Sequence, residues 1–324
     1  MKLSTLITMA LVTLKNRKVF LLALILINQI ITMFILSGIG FILFKAGKLT
    51  LEGSKNIGNI LIFLSLPCVI INGFRVERTP ERITGFLLSI LAAVVALLIS
   101  IAISRLFFKK DEIAAFSASF SNPGFFGVPL IVASMSNGAV FYIASFIACI
   151  NILQWSYGVS LLTHGKSGFT VKNLLKAPFV YATIIGIVLF LTQFQLPSII
   201  DKCIGFLAGL NTPLAMFTIG IYLAQVDMVD MIKRKSVYLT ALVRLVIIPL
   251  VTLAALWAIP SSLTEMKIAI LIASACPVGS NVAVYAQLHN SDYGYAVEEV
   301  VISTLLSVIT IPLIVYLGEM LFAI

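Results

Sequence analysis

Charge is what this 324-residue chain has least of: 11% of its residues are Asp, Glu, Lys or Arg, against 60% hydrophobic, and the mean hydropathy is +1.11. Soluble domains carry about 25% charged residues, so a water-soluble globule is excluded and a polytopic membrane protein is indicated. Cysteine is also scarce. Cys68, Cys149, Cys203 and Cys276 stand singly in or at the ends of apolar runs, without CxxC or His-rich spacing. That pattern excludes a disulfide framework or a zinc site, and all four read as small buried apolar side chains. Histidine is nearly missing: His164 and His289 fall in predicted loops. No metal spacing or nucleophile–base pair accompanies them, so no cofactor, metal or catalytic residue is expected and the chain does not read as an enzyme. The formal net charge of +9 comes from basic residues in short loops with no aromatic-interleaved basic patch. Nucleic acid is therefore not the expected partner; the lipid bilayer is.

What is present is a series of apolar runs near the 20 or so residues needed to cross a bilayer. They lie at about 28–44, 55–74, 83–108, 112–135, 139–163, 176–194, 203–224, 236–257, 266–288 and 295–322. These predict an all-α polytopic membrane protein of about ten transmembrane helices. Alternate loops differ in basic residues. One side holds Lys45, Lys48, Lys55, Arg105, Lys109, Lys110, Lys166, Lys172, Lys176, Lys233, Arg234 and Lys235; the other has Arg75, Arg78, Arg82, Lys202 and Lys267. The richer side is assigned to the cytoplasm, which puts both termini outside a multi-pass protein of the plasma membrane. Residues 1–27 form a basic lead in which Leu3, Leu6, Ile7, Ala10, Leu11 and Leu14 follow the spacing of an amphipathic helix at the interface. Its Lys15-Asn16-Arg17-Lys18 cluster, however, is of a kind that prefers the cytoplasm.

The remaining chain divides into two halves with the same punctuation, 28–163 and 176–324, joined by a short cytoplasmic linker at 164–175. In the first, Leu66-Pro67-Cys68 interrupts one span and SNPGFFGVPL (Ser121 to Leu130) a later one; in the second, Thr212-Pro213-Leu214 and CPVGSNVAVY (Cys276 to Tyr285) do the same. Five spans per half is an odd number, so the halves enter the membrane from opposite faces as inverted repeats. Their Pro-broken helices 4 and 9 are then expected to cross near the midplane. Broken helix at membrane depth persists only inside protein or along a cavity.

Each break ends one half-helix and starts another, whose unpaired amides carry partial positive charge. Asn122, Pro123 and Gly124 at one break, and Pro277, Gly279, Ser280 and Asn281 at the other, are therefore candidate contacts for an anionic group held without Lys or Arg. Asn122 and Asn281 could equally cap their own half-helices. Pro67, Asn72, Asn211, Thr212 and Pro213 are expected to line the same cavity. Asn151, Gln154, Trp155 and Tyr157 form a polar, aromatic cluster in the fifth span, equally readable as substrate contacts or as interhelical glue. Arg244, deep within a span, reads as a side chain snorkelling to the cytoplasmic face. Neither break contains Asp or Glu, which argues against a cation exchanger that works by carboxylate protonation; Glu298 and Glu299 are the nearest acids and read as interfacial.

The motifs SNPGFFGVPL, NTPLAMFTIG and ACPVGSNVAVYAQ, followed by VVISTLLSVITIPL, resemble the auxin efflux carrier family from about residue 28 to the end. The resemblance implies ten helices in two inverted repeats, a scaffold domain, a mobile transport domain whose fourth and ninth helices cross, and a substrate site at Asn122, Pro123, Pro277 and Asn281. It implies transport of small organic anions such as auxin, malate or malonate. The chain departs from the plant carriers in having no long hydrophilic central loop. The leading expectation is a secondary transporter of a small organic anion, with a proton or sodium ion as coupling partner and room for a homodimer. The second is a sodium or proton exchanger on a related crossed-helix fold.

Overall fold

The computed structural model describes residues 3–163, 165, 177–289 and 291–322, with residues 3–20, 137 and 228 as backbone only. Among them there is helix throughout and no strand longer than one isolated bridge. The helices are α1 (Leu3–Lys45), α2 (Leu51–Gly73), α3 (Pro80–Phe107), α4 (Glu112–Ser119), α5 (Pro123–Ser134) and α6 (Gly138–Leu162). They continue with α7 (Pro178–Thr192), α8 (Ser198–Gly209), α9 (Asn211–Gln225), α10 (Met228–Lys233), α11 (Lys235–Trp257), α12 (Thr264–Ala275), α13 (Asn281–Leu288) and α14 (Tyr293–Phe322). Among the described residues seven stretches are long and apolar enough to cross a bilayer: Leu21–Lys45, α2, α3, α6, Ser198–Gln225 (α8 with α9), α11 and α14. The predicted linker, apart from Gly165, and the side chains of residues 1–20 of the basic lead lie outside the described residues.

Local chemistry explains where the helices start, stop and bend. The side chains of Thr50, Thr79, Asp111 and Ser136 accept from first-turn amides of α2, α3, α4 and α6, satisfying donors that have no intrahelical acceptor. Gln193, at φ 56°, closes α7 in the left-handed region. Four helices contain one widened, π-type turn: Leu61–Ser65, Pro123–Gly127, Gln154–Gly158 and Val243–Ile247. Three of the four run directly into Pro67, Pro129 or Pro249. A proline lacks an N–H and its ring crowds the carbonyl one turn back, and a widened turn relieves both faults without ending the helix.

α12 sits at the centre of the molecule, with every residue from Met266 to Ala275 buried. Lys267, read as an outer loop charge, is one of them. Its Nζ donates to the Ile259 carbonyl at 2.9 Å and lies 4.2 Å from the Phe322 ring centroid. α14, α6, α11 and α3 pack around α12. On the other flank α1 and α9 meet at Gly40 and Gly220. A Cβ on Gly40 would lie 2.6 Å from the Phe217 carbonyl oxygen, and one on Gly220 would strike the Ser37 carbonyl. Small residues here let two backbones touch, the usual way for helices to associate in lipid, where apolar surface alone gives no preference for protein over acyl chain. The four cysteines are free, but only Cys68 and Cys276 are buried; Cys149 is half-buried and Cys203 exposed. The expectation of four buried cysteines fails because position in a span sets depth, not which face meets protein.

Candidate functional site

The two breaks meet. α4 stops at Ser119, α12 at Ala275, and the extended residues beyond them run antiparallel, with Ser121 opposite Val278. Asn122 N–H donates to the Pro277 carbonyl at 2.9 Å, and Gly279 N–H to the Phe120 carbonyl at 2.9 Å. Each break thus supplies the partner that the other lost by leaving the helix, which answers the demand for backbone satisfaction away from water. Gly279 is required by this approach: a Cβ there would lie 2.8 Å from the Ser121 carbonyl oxygen. Val278 N–H is held at 3.0 Å by the Ser303 hydroxyl oxygen of α14.

The carbonyl ends of both broken helices converge on Arg244. Its guanidinium donates to Ala118 O at 2.9 Å, to Ser119 O at 3.3 Å and to Ser274 O. Only 1% of Arg244 is exposed, so it does not snorkel, contrary to the expectation from its depth. The widened turn Val243–Ile247 aims it inward, where the planar fork of donors spans carbonyls from two helices and a full positive charge faces two negative helix ends. Nothing in the linear sequence marks those acceptors, which lie 126, 125 and 30 residues away.

The amide ends face the other way and are treated differently. Asn122 caps α5: its Oδ1 accepts from Phe125 N–H at 3.2 Å, and its carbonyl accepts from Phe126 and Gly127 N–H at 3.1 and 3.2 Å. Asn281 does not cap α13. Its Nδ2 donates to Gln154 Oε1 of α6 at 2.9 Å. Gln154 is buried in the widened turn of α6 and lies beside Gly279.

Around these ends is a cavity of about 40 Å³ lined by Asn122, Pro123, Gly124, Asn151, Gln154, Gly279, Ser280 and Asn281, with Leu66, Ser121, Phe125, Ile147 and Ile150. The fifth-span cluster therefore divides. Asn151 and Gln154 reach the cavity, whereas Trp155 packs on Tyr285 and the buried Tyr157 hydroxyl points elsewhere, its ring against Phe120. Asn72 and Thr212 line a second, larger cavity of about 710 Å³ between α2, α5, α8 and α9, at whose mouth Arg75 is paired with Asp201. Asn211 also lines the larger cavity, and its Nδ2 donates to the Gly124 carbonyl at 3.1 Å while its Oδ1 is buried without a partner. It stands between the two spaces. Pro67 and Pro213 line neither cavity: Pro67 follows a widened turn and Pro213 sits in the first turn of α9. Pro277 contributes its carbonyl to the crossing. Among the described residues no group of His, Cys, Asp and Glu could hold a metal.

Glu298 and Glu299 are not interfacial as a pair. Glu298 pairs with Arg234 at 3.1 Å and keeps 12% of its side chain exposed, while Glu299 is 1% exposed and neither of its oxygens has a hydrogen-bond partner among the described residues.

The chain matches the protein family described as "Membrane transport protein" over residues 25–173 and 162–315. It is 34% identical over 136 residues to "Auxin efflux carrier component 8" of Arabidopsis thaliana, a match covering 39% of this chain and 37% of that one. It is 24% identical over 283 residues to "Putative malonate transporter" of Rhizobium meliloti (strain 1021), covering 81% of this chain and 86% of the relative. With most of its length matched, the chain belongs to this family of membrane transport proteins, the auxin efflux carrier family, and is a transporter rather than an enzyme.

Proposed function

We propose that this protein is a secondary active transporter that moves a small organic anion, a carboxylate such as malonate or malate, across the plasma membrane by alternating access. With α4–α5 and α12–α13 each taken as one broken pass and α7 as a short one, the chain crosses ten times. The two five-pass halves are inverted, and both termini lie outside. The substrate carboxylate is received at the crossing by the amide ends of α5 and α13 and by the side chains of Asn122, Asn281 and Gln154. Asn151, Ser280 and Gly124 shape the cavity, and Asn72, Asn211 and Thr212 line the approach from the larger one.

The observation that carries this reading is the division of labour at the crossing. Arg244 occupies the carbonyl ends, so the groups left facing the cavity are amide ends and carboxamides, which suit an anion. The same observation disfavours the cation exchanger, which needs free carbonyls or carboxylates at that point. The malonate named for the Rhizobium relative supports the substrate class.

The test is uptake of labelled malonate, malate and indoleacetate into proteoliposomes containing the wild type or Asn122→Ala. Saturable uptake of at least one acid by the wild type, reduced about tenfold or more in the variant, is expected. Cation flux driven by a sodium or proton gradient without any acid would favour the exchanger.

A further inference from the structure

The buried carboxyl of Glu299 has no part in the site described above, although it lies close to it. α14 carries it one helical turn before Ser303, and Ser303 holds Val278 N–H at the crossing. The groups that act on the carboxyl are Thr240 of α11, Tyr295 and Glu298 of its own helix, and Asp111 at the head of α4. Both hydroxyl neighbours are committed elsewhere: Thr240 Oγ1 donates to the Ser236 carbonyl at 3.3 Å, and Tyr295 Oη to Asp111 Oδ2 at 3.0 Å. The remaining neighbours, Asp111 and Glu298, are acids.

The nearby arginines are also spoken for. Arg234 pairs with Glu298 and lies 5.0 Å from the Tyr295 ring centroid, and Arg244 is taken by the carbonyl ends. Asp230 and Asp292 add further negative charge around Glu298. Of the helices packed on α14, α1 brings Lys45 among its described side chains, α4 Glu112, α9 Tyr222, α11 Lys235 and Tyr238, α12 Glu265 and Lys267, and α13 Tyr285 and His289; none of these is among the groups acting on Glu299.

A carboxylate buried with no cation beside it, whose nearest donors are two hydroxyls already bonded to other acceptors, cannot stay charged at a tolerable cost. Resting on the anion-carrier reading, we propose that Glu299 is the proton-binding site that couples transport to the proton gradient: it holds a proton in the conformation described and releases it in the opposite one. The proton adds to a carboxylate oxygen and leaves it as the same proton, so no other bond changes. Loss of the proton would set a third negative charge beside Asp111 and Glu298. That repulsion would strain the Tyr295–Asp111 hydrogen bond, which joins α14 to the cap of the first broken helix. Glu298, partly exposed beside solvent-facing Arg234, is the step by which the proton reaches water. The carbonyl ends that would otherwise take an alkali cation are filled by the Arg244 guanidinium, so the coupling ion is a proton and not sodium.

The experiment uses proteoliposomes with an internal pH dye and labelled malonate, malate and indoleacetate. In the wild type, protons should move with the transported acid, and an imposed gradient of one pH unit should change its accumulation about tenfold for one coupled proton, with sodium gradients without effect. Glu299→Gln should keep exchange of labelled for unlabelled acid while losing both proton movement and the response to the pH gradient. Wild-type uptake without proton movement, or uptake driven by sodium, overturns the inference and leaves the anion carrier standing; so does a Glu299→Gln protein that still accumulates acid with the pH gradient. If that variant fails to reach the membrane, the wild-type dye signal decides alone. Absence of uptake of any of the acids by the wild type overturns the anion-carrier reading itself, and this inference with it.

Discussion

The two breaks that form the crossing are built on different terms. The first caps its own amide end: Asn122 accepts from Phe125 N–H, a widened turn absorbs Pro123 and Pro129, and a Cβ on Gly124 would meet nothing closer than Leu66 Cδ1 at 3.4 Å. The second depends on its neighbours. α13 has no side-chain cap, Val278 is held by α14, Asn281 reaches across to α6, and Gly279 has no room for a methyl group. An amide end capped by its own side chain depends less on what packs on it, while one held from outside reports the state of the helices around it. The second break is therefore where α6 and α14 act on the site.

The largest effect is expected where the two breaks share one support. Arg244→Met would leave the carbonyls of Ala118, Ser119 and Ser274 without their donor inside the protein. Several kcal/mol of stability should go with it, on the order of 3–5, seen as a fall in thermal unfolding temperature in detergent together with loss of uptake. Arg244→Lys should recover only part of both, because a point charge cannot span three acceptors. Next in size is a direct contrast of the glycines. Gly279→Ala should lower uptake about tenfold or more by parting the backbones, and Gly124→Ala should change it by less than about threefold; equal effects would erase the distinction drawn between the breaks. The smallest effect belongs to the Asn281–Gln154 pair. A double-mutant cycle with Asn281→Ala and Gln154→Ala should show coupling in thermal stability of roughly 0.6 kcal/mol, the usual worth of an interhelical hydrogen bond in a membrane protein. The corresponding cycle with Asn122→Ala should show none.

The contrast also marks what could be read from the chain alone. Proline, glycine and asparagine inside apolar runs announce broken helix, and their recurrence in both halves leads to the expectation that the breaks approach one another, as they do at Ser121 and Val278; which residues meet is not written in the sequence. The capping role open to both asparagines was resolved only by their surroundings: Asn122 takes it, and Asn281 does not. Arg244 was misjudged because hydropathy reports depth along a span and not direction around it. A wide turn that rotates the side chain towards carbonyls in two other helices leaves no local trace. Glu299 escaped for a related reason. The head of a helix normally meets water, but here α4 and α11 cover it.

Where Gly40 and Gly220 bring α1 and α9 together with backbone against backbone, there are no side chains to exchange rotamers and no slack for a slip in register, since the adjoining Phe41 and Phe217 could not occupy the gap. The two helices thus behave as one girder. On the proposed alternating-access cycle, this girder would be the fixed reference for movement of the crossing. A pair of distance probes, one on the girder and one near Pro277, would read that displacement without distortion from the frame itself.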